Sequence, residues 1–320
     1  MKNNEVIALK TIYDVAKAAG YAPSTVSKYL THHGYVSQAA GKKIEQAMVD
    51  LDYHYNGLAR LLNEGASSRL GIMVPYLDQP YFQELVQSIM NVSVQQQREV
   101  IILPTNYDTG LEQLYLDRLE HQLIGQLIIT SHALPLEQIV NYQKFAPIVV
   151  CERSAHLPIR SVYNDRLGTF KQLFGKIKAA GQTHIGLILA RPASQSRSTE
   201  EVLTAYAEVF GEKIAPNLVR YHGKTLADGI REAKQLQQID DQLQVVLTEG
   251  DTTAAGAYSE YQKSGTKVTV IGQGNELPSQ LLEFSTIDYH LGEVGRQAVA
   301  LLAEEDVRSV AVPVEIVDRK

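Results

Sequence analysis

The sequence predicts an α/β protein in two parts: a small helical head built on a helix-turn-helix, then a larger, two-lobed body with parallel sheets. Three observations lead there. Residues 11–28 read as two short helices joined by a glycine turn. From Leu70 onward, short apolar runs alternate with longer amphipathic stretches, the pattern of parallel strands covered on both faces by helices. Finally, 320 residues, 44% hydrophobic and 21% charged, make an ordinary globular composition with room for two or three domains.

Residues 1–10 show no strong pattern. Thr11 and Asp14 stand three apart at a helix start, so hydroxyl and carboxylate suit a capping box. Gly20 supplies the left-handed conformation that ends a helix, and Pro23 suits the first position of the next. Val15 and Ala19, then Val26 and Leu30, recur at i, i+4 and give each helix an apolar edge. Ser24, Thr25, Ser27 and Lys28 are left facing outward. Small hydroxyls and a cation at a helix start are what base edges and phosphates require. The spacing alone also fits an ordinary helical hairpin with solvated faces. Tyr35-Val36-Ser37 precedes a third helix, with Ile44, Met48 and Leu51 at i, i+4, i+7. Residues 53–62 close the segment, and the small, polar stretch 63–69 reads as a linker.

The net charge of −6 is unevenly spread. Residues 1–62 hold seven Lys/Arg against five Asp/Glu, whereas the rest of the chain holds 23 against 31. A mildly basic head on an acidic body fits a module that meets phosphates. The single cysteine, Cys151, excludes a disulfide framework and a Cys-based zinc finger; its apolar run marks a buried, inert thiol. The amino terminus lacks the apolar core of a signal peptide, and no run approaches ~18 apolar residues. The expectation is a cytoplasmic protein with no membrane partner. Gly272 and Gly274 lack the third glycine of a dinucleotide fingerprint, and no phosphate loop or catalytic triad stands out. His32-His33 reads as a solvated turn pair. Neither an enzyme nor a cofactor or metal site is expected.

In the body, strands are expected at 70–74, 100–103, 127–130, 148–150, 185–189, 245–247 and 268–271. Helices are expected at 81–97, 111–121, 165–180, 200–210, 226–238, 251–264 and 291–303. Ligands in such sheets sit beyond the carboxyl ends of strands, between lobes where there are two. Tyr81 and Phe82, in Asp78-Gln79-Pro80-Tyr81-Phe82, follow the first strand; they either stack on a sugar ring or fill the lobe interface. Arg197, after run 185–189, offers a planar fork for vicinal hydroxyls, a carboxylate or a phosphate, or is simply solvated. A carboxylate at Asp251, opening a helix, caps that helix, binds hydroxyls, or does both.

Residues 11–62 closely resemble the DNA-binding end of the lactose-repressor (LacI/GalR) family of bacterial transcription regulators. By that resemblance Thr25-Val26-Ser27-Lys28 lies in the recognition helix, with Pro23, Ser24 and Lys28 at operator-reading positions. The implied DNA-contacting set is Thr11, Tyr13, Pro23, Ser24, Thr25, Ser27 and Lys28 from this pair. Core packing is the alternative for Tyr13 and for Tyr35. Residues 56–63 match the hinge helix, adding Asn56, Ala59, Arg60 and Leu62; Leu62 is the counterpart of the family's minor-groove wedge. Ala22 replaces the usual capping hydroxyl, at a cost of about 1 kcal/mol. Lys28 stands for the usual Arg, and His54 for a frequent proline.

The body resembles the family's effector domain, of the type I periplasmic-binding-protein-like fold, in which the chain crosses between lobes three times. One lobe would comprise 70–162 and 288–320, the other 163–287. The implied effector-binding residues are Tyr81, Phe82, Asn164, Asp165, Arg197, Asp251, Gln273 and Asn275. Asn164-Asp165 reverses the family's order, and Gly274 replaces its usual acidic group. The resemblance implies a ligand-responsive repressor of a carbohydrate-utilisation operon. It would bind a pseudo-palindromic double-stranded DNA operator as a homodimer, controlled by a sugar or sugar phosphate. The alternative is a solute-binding protein without DNA function, against which the hinge match and missing signal peptide speak. The chain also lacks a terminal leucine heptad, which favours a dimer over a tetramer.

Overall fold

Thr11 opens the first helix, α1 (Ile12–Ala19), where Asp14 Oδ2 accepts hydrogen bonds from Thr11 N and Oγ1 at 2.8 Å each. The structure, a computed structural model, describes residues 10–31, 34–53, 69–154 and 156–319. It divides into two compact units, Met1–Ala66 and Ser67–Lys320. The expected hinge, His32-His33, His54 and all of the linker but Arg69 lie outside the described residues.

In the head, Gly20 ends α1 at φ 74°, and its amide donates to Ala16 O. Then come α2 (Pro23–Thr31) and α3 (Gln38–Asp50), the latter capped by Ser37 Oγ accepting from Ala40 N at 3.3 Å. Val15, Ala16, Ala19, Val26, Ile44 and Ala47 are buried and form its core. Gly41 lets α3 approach Tyr29, since a Cβ there would lie 2.9 Å from the ring. The Tyr29 hydroxyl then donates to Glu45 at 2.5 Å. Tyr13 and Tyr35 are 70% and 91% exposed, which removes core packing as their role.

The described residues of the body form two six-stranded sheets. The first takes β1 (Leu70–Val74), β2 (Val100–Pro104), β3 (Gln126–Ile129), β4 (Ile148–Val150) and β5 (Arg160–Asn164). Helices α4 (Pro80–Gln95), α5 (Thr109–Glu120) and α6 (Leu136–Val140) connect them. The second takes β6 (Ile185–Ile188), β7 (Val219–Arg220), β8 (Val245–Thr248), β9 (Thr269–Gln273) and β10 (Ser285–Asp288). Its helices are α7 (Arg166–Ala179), α8 (Arg197–Phe210), α9 (Leu226–Ile239), α10 (Asp251–Ser264) and α11 (Leu277–Leu282). Every residue of β1, β6 and β8 is buried, as strands covered on both faces require.

The chain returns through α12 (Leu291–Leu301), which packs on α4, where Ser88 Oγ donates to Gly292 O at 2.7 Å. It then adds β11 (Ser309–Val312) to the first sheet, in the order β11-β5-β4-β3-β1-β2, all parallel. The last strand, β12 (Glu315–Val317), pairs antiparallel with β10, giving the second sheet the order β12-β10-β9-β8-β6-β7. This corrects the expected assignment of all of 288–320 to the first lobe. Val312 ends one sheet and Glu315 begins a strand of the other, so the third crossing lies between them. The apolar-run reading also left out β5, β7 and β10 to β12, which are short or half-exposed.

All three crossings meet at Asn164. Its Nδ2 donates to Tyr289 O at 3.0 Å and to Val312 O at 3.2 Å, joining the end of β5 to the other two passages. Tyr289 and Val312 are 2% and 3% exposed, so neither carbonyl has ready access to water. Asn164→Ala is expected to lower unfolding free energy by about 1–3 kcal/mol, the cost of leaving buried acceptors unpaired. Equilibrium denaturation measures this, and a variant as stable as its parent would show the crossings to be held by other contacts.

In the second lobe α9 and α10 touch backbone to backbone. A Cβ on Gly229 would lie 2.1 Å from Thr253 O, and one on Gly256 2.1 Å from Leu226 O. Gly256→Ala is therefore expected to destabilise by more than about 1 kcal/mol, because main chain must shift. The melting temperature reads the effect.

Candidate effector cleft and DNA-reading face

Between the carboxyl ends of the two sheets lies a cavity of about 200 Å3, small for a ligand pocket. The first lobe supplies an aromatic wall. Tyr81, Phe82 and Tyr107 line it; Tyr81 meets Phe82 at 5.2 Å, and Tyr76, outside the lining, meets Tyr107 edge-on at 5.4 Å. Tyr107 reaches the cavity from a tight loop in which Asn106 and Tyr107 both take left-handed backbone, φ 51° and 58°. Such outliers cost free energy and concentrate at functional sites.

The second lobe supplies cations that lie on those rings. The Arg166 guanidinium sits 4.9 Å from the Tyr81 ring centre and 4.4 Å from that of Tyr289, and donates to Ser198 Oγ at 3.0 Å. Arg191 lies 4.2 Å over Tyr107, and Lys224 Nζ 5.2 Å over Tyr76. Arg191 also starts a relay between lobes. It donates to the Tyr107 hydroxyl at 3.2 Å, which donates to Ser131 Oγ at 3.2 Å, which donates to Glu152 at 2.5 Å.

Glu152, Glu201, Glu249 and Glu276 also line the cavity. Burial raises the pKa of Glu249 and of Glu201, against the opposing pull of Arg166. Glu276 is pushed up to about 7, first by burial and then by Asp251 and Glu84. Among the described residues no group of three or more His, Cys, Asp or Glu is placed to hold a metal ion.

The expected effector residues divide into two groups. Tyr81, Phe82, Asn164, Arg197 and Gln273 line the cavity. Their polar groups are largely engaged within the protein. Arg166 covers Tyr81, Phe82 is 7% exposed in the core, and Asn164 ties the crossings. Gln273 donates to Thr248 O at 2.7 Å and accepts from the Tyr289 hydroxyl. Arg197 is half-exposed, pairs with Glu201 at 3.4 Å and donates to Arg153 O at 3.3 Å.

Asp165, Asp251 and Asn275 do not line the cavity. Asp165 caps α7 through Gly168 N and pairs with Arg153 at 3.1 Å. Asp251 is fully buried, and its carboxylate accepts from Thr286 Oγ1 and Glu276 N, both at 2.7 Å. Asn275 turns away, donating to Asp288 at 2.9 Å and accepting from Arg319 at 2.5 Å. Reading single strand ends missed Arg166, Arg191, Lys224, Tyr107, Glu152 and Glu249. Five of these, all but Lys224, stand within three residues of a strand end, and that position was the available signal.

In the head, Thr11, Tyr13, Pro23, Ser24 and Lys28 are exposed, and Thr25 and Ser27 half-buried, on α1 and α2. Asn56, Ala59, Arg60 and Leu62 lie outside the described residues.

A helix-turn-helix head followed by a cleft between two sheets is the architecture of ligand-regulated DNA-binding proteins. Residues 11–56 match the bacterial regulatory proteins of the lacI family, and residues 67–318 match the periplasmic binding proteins and sugar binding domain of that family. Catabolite control protein B of Bacillus subtilis is 30% identical over 304 residues, 95% of this chain and 97% of its own. The ribose operon repressor of Halalkalibacterium halodurans is 24% identical over 325 residues, 98% of this chain and 97% of its own. The lac repressor dimer bound to operator and the anti-inducer ONPF shares the fold, with TM-score 0.78 at 23% identity over 98% of each chain. The chain belongs to the LacI family, whose members are transcription regulators rather than enzymes.

Glu276 sets a testable pH dependence. The folded protein holds its proton up to about 7, while the unfolded chain releases it near 4.5. Between those values the native state binds more protons, so this group's contribution to stability is present below that window and is lost as pH rises through it. Melting temperatures between pH 5 and 7.5 should fall less steeply for Glu276→Gln than for the parent; parallel curves would contradict the assignment.

Proposed function

We propose that the protein is a ligand-responsive repressor of a carbohydrate-utilisation operon, binding a pseudo-palindromic operator as a homodimer in the cytoplasm. The observation that carries this reading is the exposed face of α2, set in a three-helix head ahead of a two-lobed cleft. Relatives bearing the names ribose operon repressor and sucrose operon repressor support the carbohydrate assignment.

In this reading Pro23, Ser24, Thr25, Ser27 and Lys28 enter the major groove, Thr11 and Tyr13 meet the backbone, and Leu62 wedges into the minor groove beside Asn56, Ala59 and Arg60. A small sugar-like effector in the cleft favours one lobe arrangement over another. Operator affinity then changes by the ligand's differential affinity for the two.

The test is a mobility-shift titration on an operator selected from random duplexes. Leu62→Ala should abolish specific binding while retaining salt-sensitive nonspecific binding. Lys28→Ala should weaken operator binding by about 1–3 kcal/mol and relax base preference at one position per half-site. Unaltered operator affinity in the Leu62 variant would remove the wedge from the mechanism.

A further inference from the structure

The cleft's charges are unequal in kind. Arg191 and Lys224 press on the same aromatic pair, whose rings meet at 5.4 Å, and among the described residues neither forms an ion pair. Of the other flanking arginines, Arg153 pairs with Asp165 at 3.1 Å and Arg197 with Glu201 at 3.4 Å, while Arg166 is held between the Tyr81 and Tyr289 rings and by Ser198. Glu152, the carboxylate at the end of the Arg191 relay, accepts from Ser131 Oγ at 2.5 Å and lies 3.8 Å from His132 Nε2.

Buried acids and buried guanidiniums escape desolvation differently. Glu201, Glu249 and Glu276 respond to burial by holding protons more tightly, and a neutral carboxyl donates to or accepts from a hydroxyl without needing a counter-ion. A guanidinium cannot shed its charge. Burial therefore shifts Glu201, Glu249 and Glu276 toward the neutral form, whereas a guanidinium such as that of Arg191 has no such escape. The rings beneath Arg191 and Lys224 attract these cations but do not neutralise them. Two cations thus gather at the Tyr76–Tyr107 end of the cavity, and the acid whose charge Arg191 feels, Glu249, is one that burial pushes toward its neutral form.

We propose that Arg191 and Lys224 form a subsite for an anionic group, a phosphate or a carboxylate, carried by an effector whose hydroxyls face Glu201, Glu249 and Glu276. The inference rests on reading the cleft as the effector site. It narrows that site to an acidic sugar derivative.

Isothermal titration calorimetry of the full chain with a neutral hexose, the matching hexose phosphate, the matching hexuronate and inorganic phosphate tests it. The expected result is that a charged sugar binds at least about tenfold tighter than the neutral one, the scale of one charge-assisted hydrogen bond. Its affinity should fall as salt rises from about 0.05 to about 0.5 M. A preference for the phosphate or for the hexuronate identifies the anion's source. Arg191→Gln and Lys224→Met should each remove most of the advantage over the neutral hexose, and Lys224→Arg should keep it. Neutral hexose binding as tightly, without salt dependence, would overturn the subsite, as would anion binding indifferent to both substitutions. Failure of either variant to fold leaves the salt dependence of the parent protein as the deciding measurement. A bound charged sugar that leaves operator affinity unchanged would instead sink the regulatory reading and leave the subsite standing.

Discussion

The side-chain amide of Asn164 joins the three passages of chain between the lobes, and the geometry of the cleft depends on that junction. From it the chain enters the second lobe at Asp165, returns past Tyr289 and crosses a third time beyond Val312. A cleft whose walls belong to different sheets keeps its shape only if these passages are fixed relative to one another. Two hydrogen bonds to nearly inaccessible carbonyls do this with little freedom of direction. Arg166, two residues on, adds a second tie between the Tyr81 and Tyr289 rings. Positions in this short stretch therefore influence both lobes.

Beyond this junction the lobes meet through cations on aromatic faces. Among the described residues such cations, Arg166, Arg191 and Lys224, come from the second lobe, and Tyr76, Tyr81 and Tyr107 come from the first. Each contact is worth on the order of 1 kcal/mol and is broken by modest separation. Contacts of that size allow a small ligand to shift the balance between lobe arrangements, because its differential affinity need exceed only a few such terms. The buried carboxyls add a proton-dependent element to the same wall.

Much of the architecture was legible in the chain. Gly20 and Pro23 punctuate the head, and i, i+4 apolar edges place its core. The run Leu70–Val74 reads as a strand because both its faces must be apolar under helices. β10 and β12 escaped that reading: β12 is short and half-exposed, and β10 alternates polar Ser285 and Thr286 with Ile287. Among site residues, Arg197, in the loop after β6, and Gln273, placed by the resemblance, line the cleft, yet Asp251, expected at a strand end, and Asn275, placed by the resemblance, serve internal hydrogen bonds. A strand-end position indicates proximity to the cleft. Side-chain direction depends on what else competes for the group, as Thr286 does for Asp251 and Arg319 for Asn275.

By itself the sequence determined the helix-turn-helix and the parallel sheets, because periodicity, caps and turn residues act over a few positions, and its resemblance to LacI regulators pointed to the family. The tertiary structure decided which lobe receives Glu315–Val317, which cations lie on which rings, and which carboxyls are buried enough to hold protons. Those outcomes depend on groups far apart in the chain, such as Tyr107 and Arg191 or Asn164 and Val312. Their separation in space is set only when the two sheets close around the cleft.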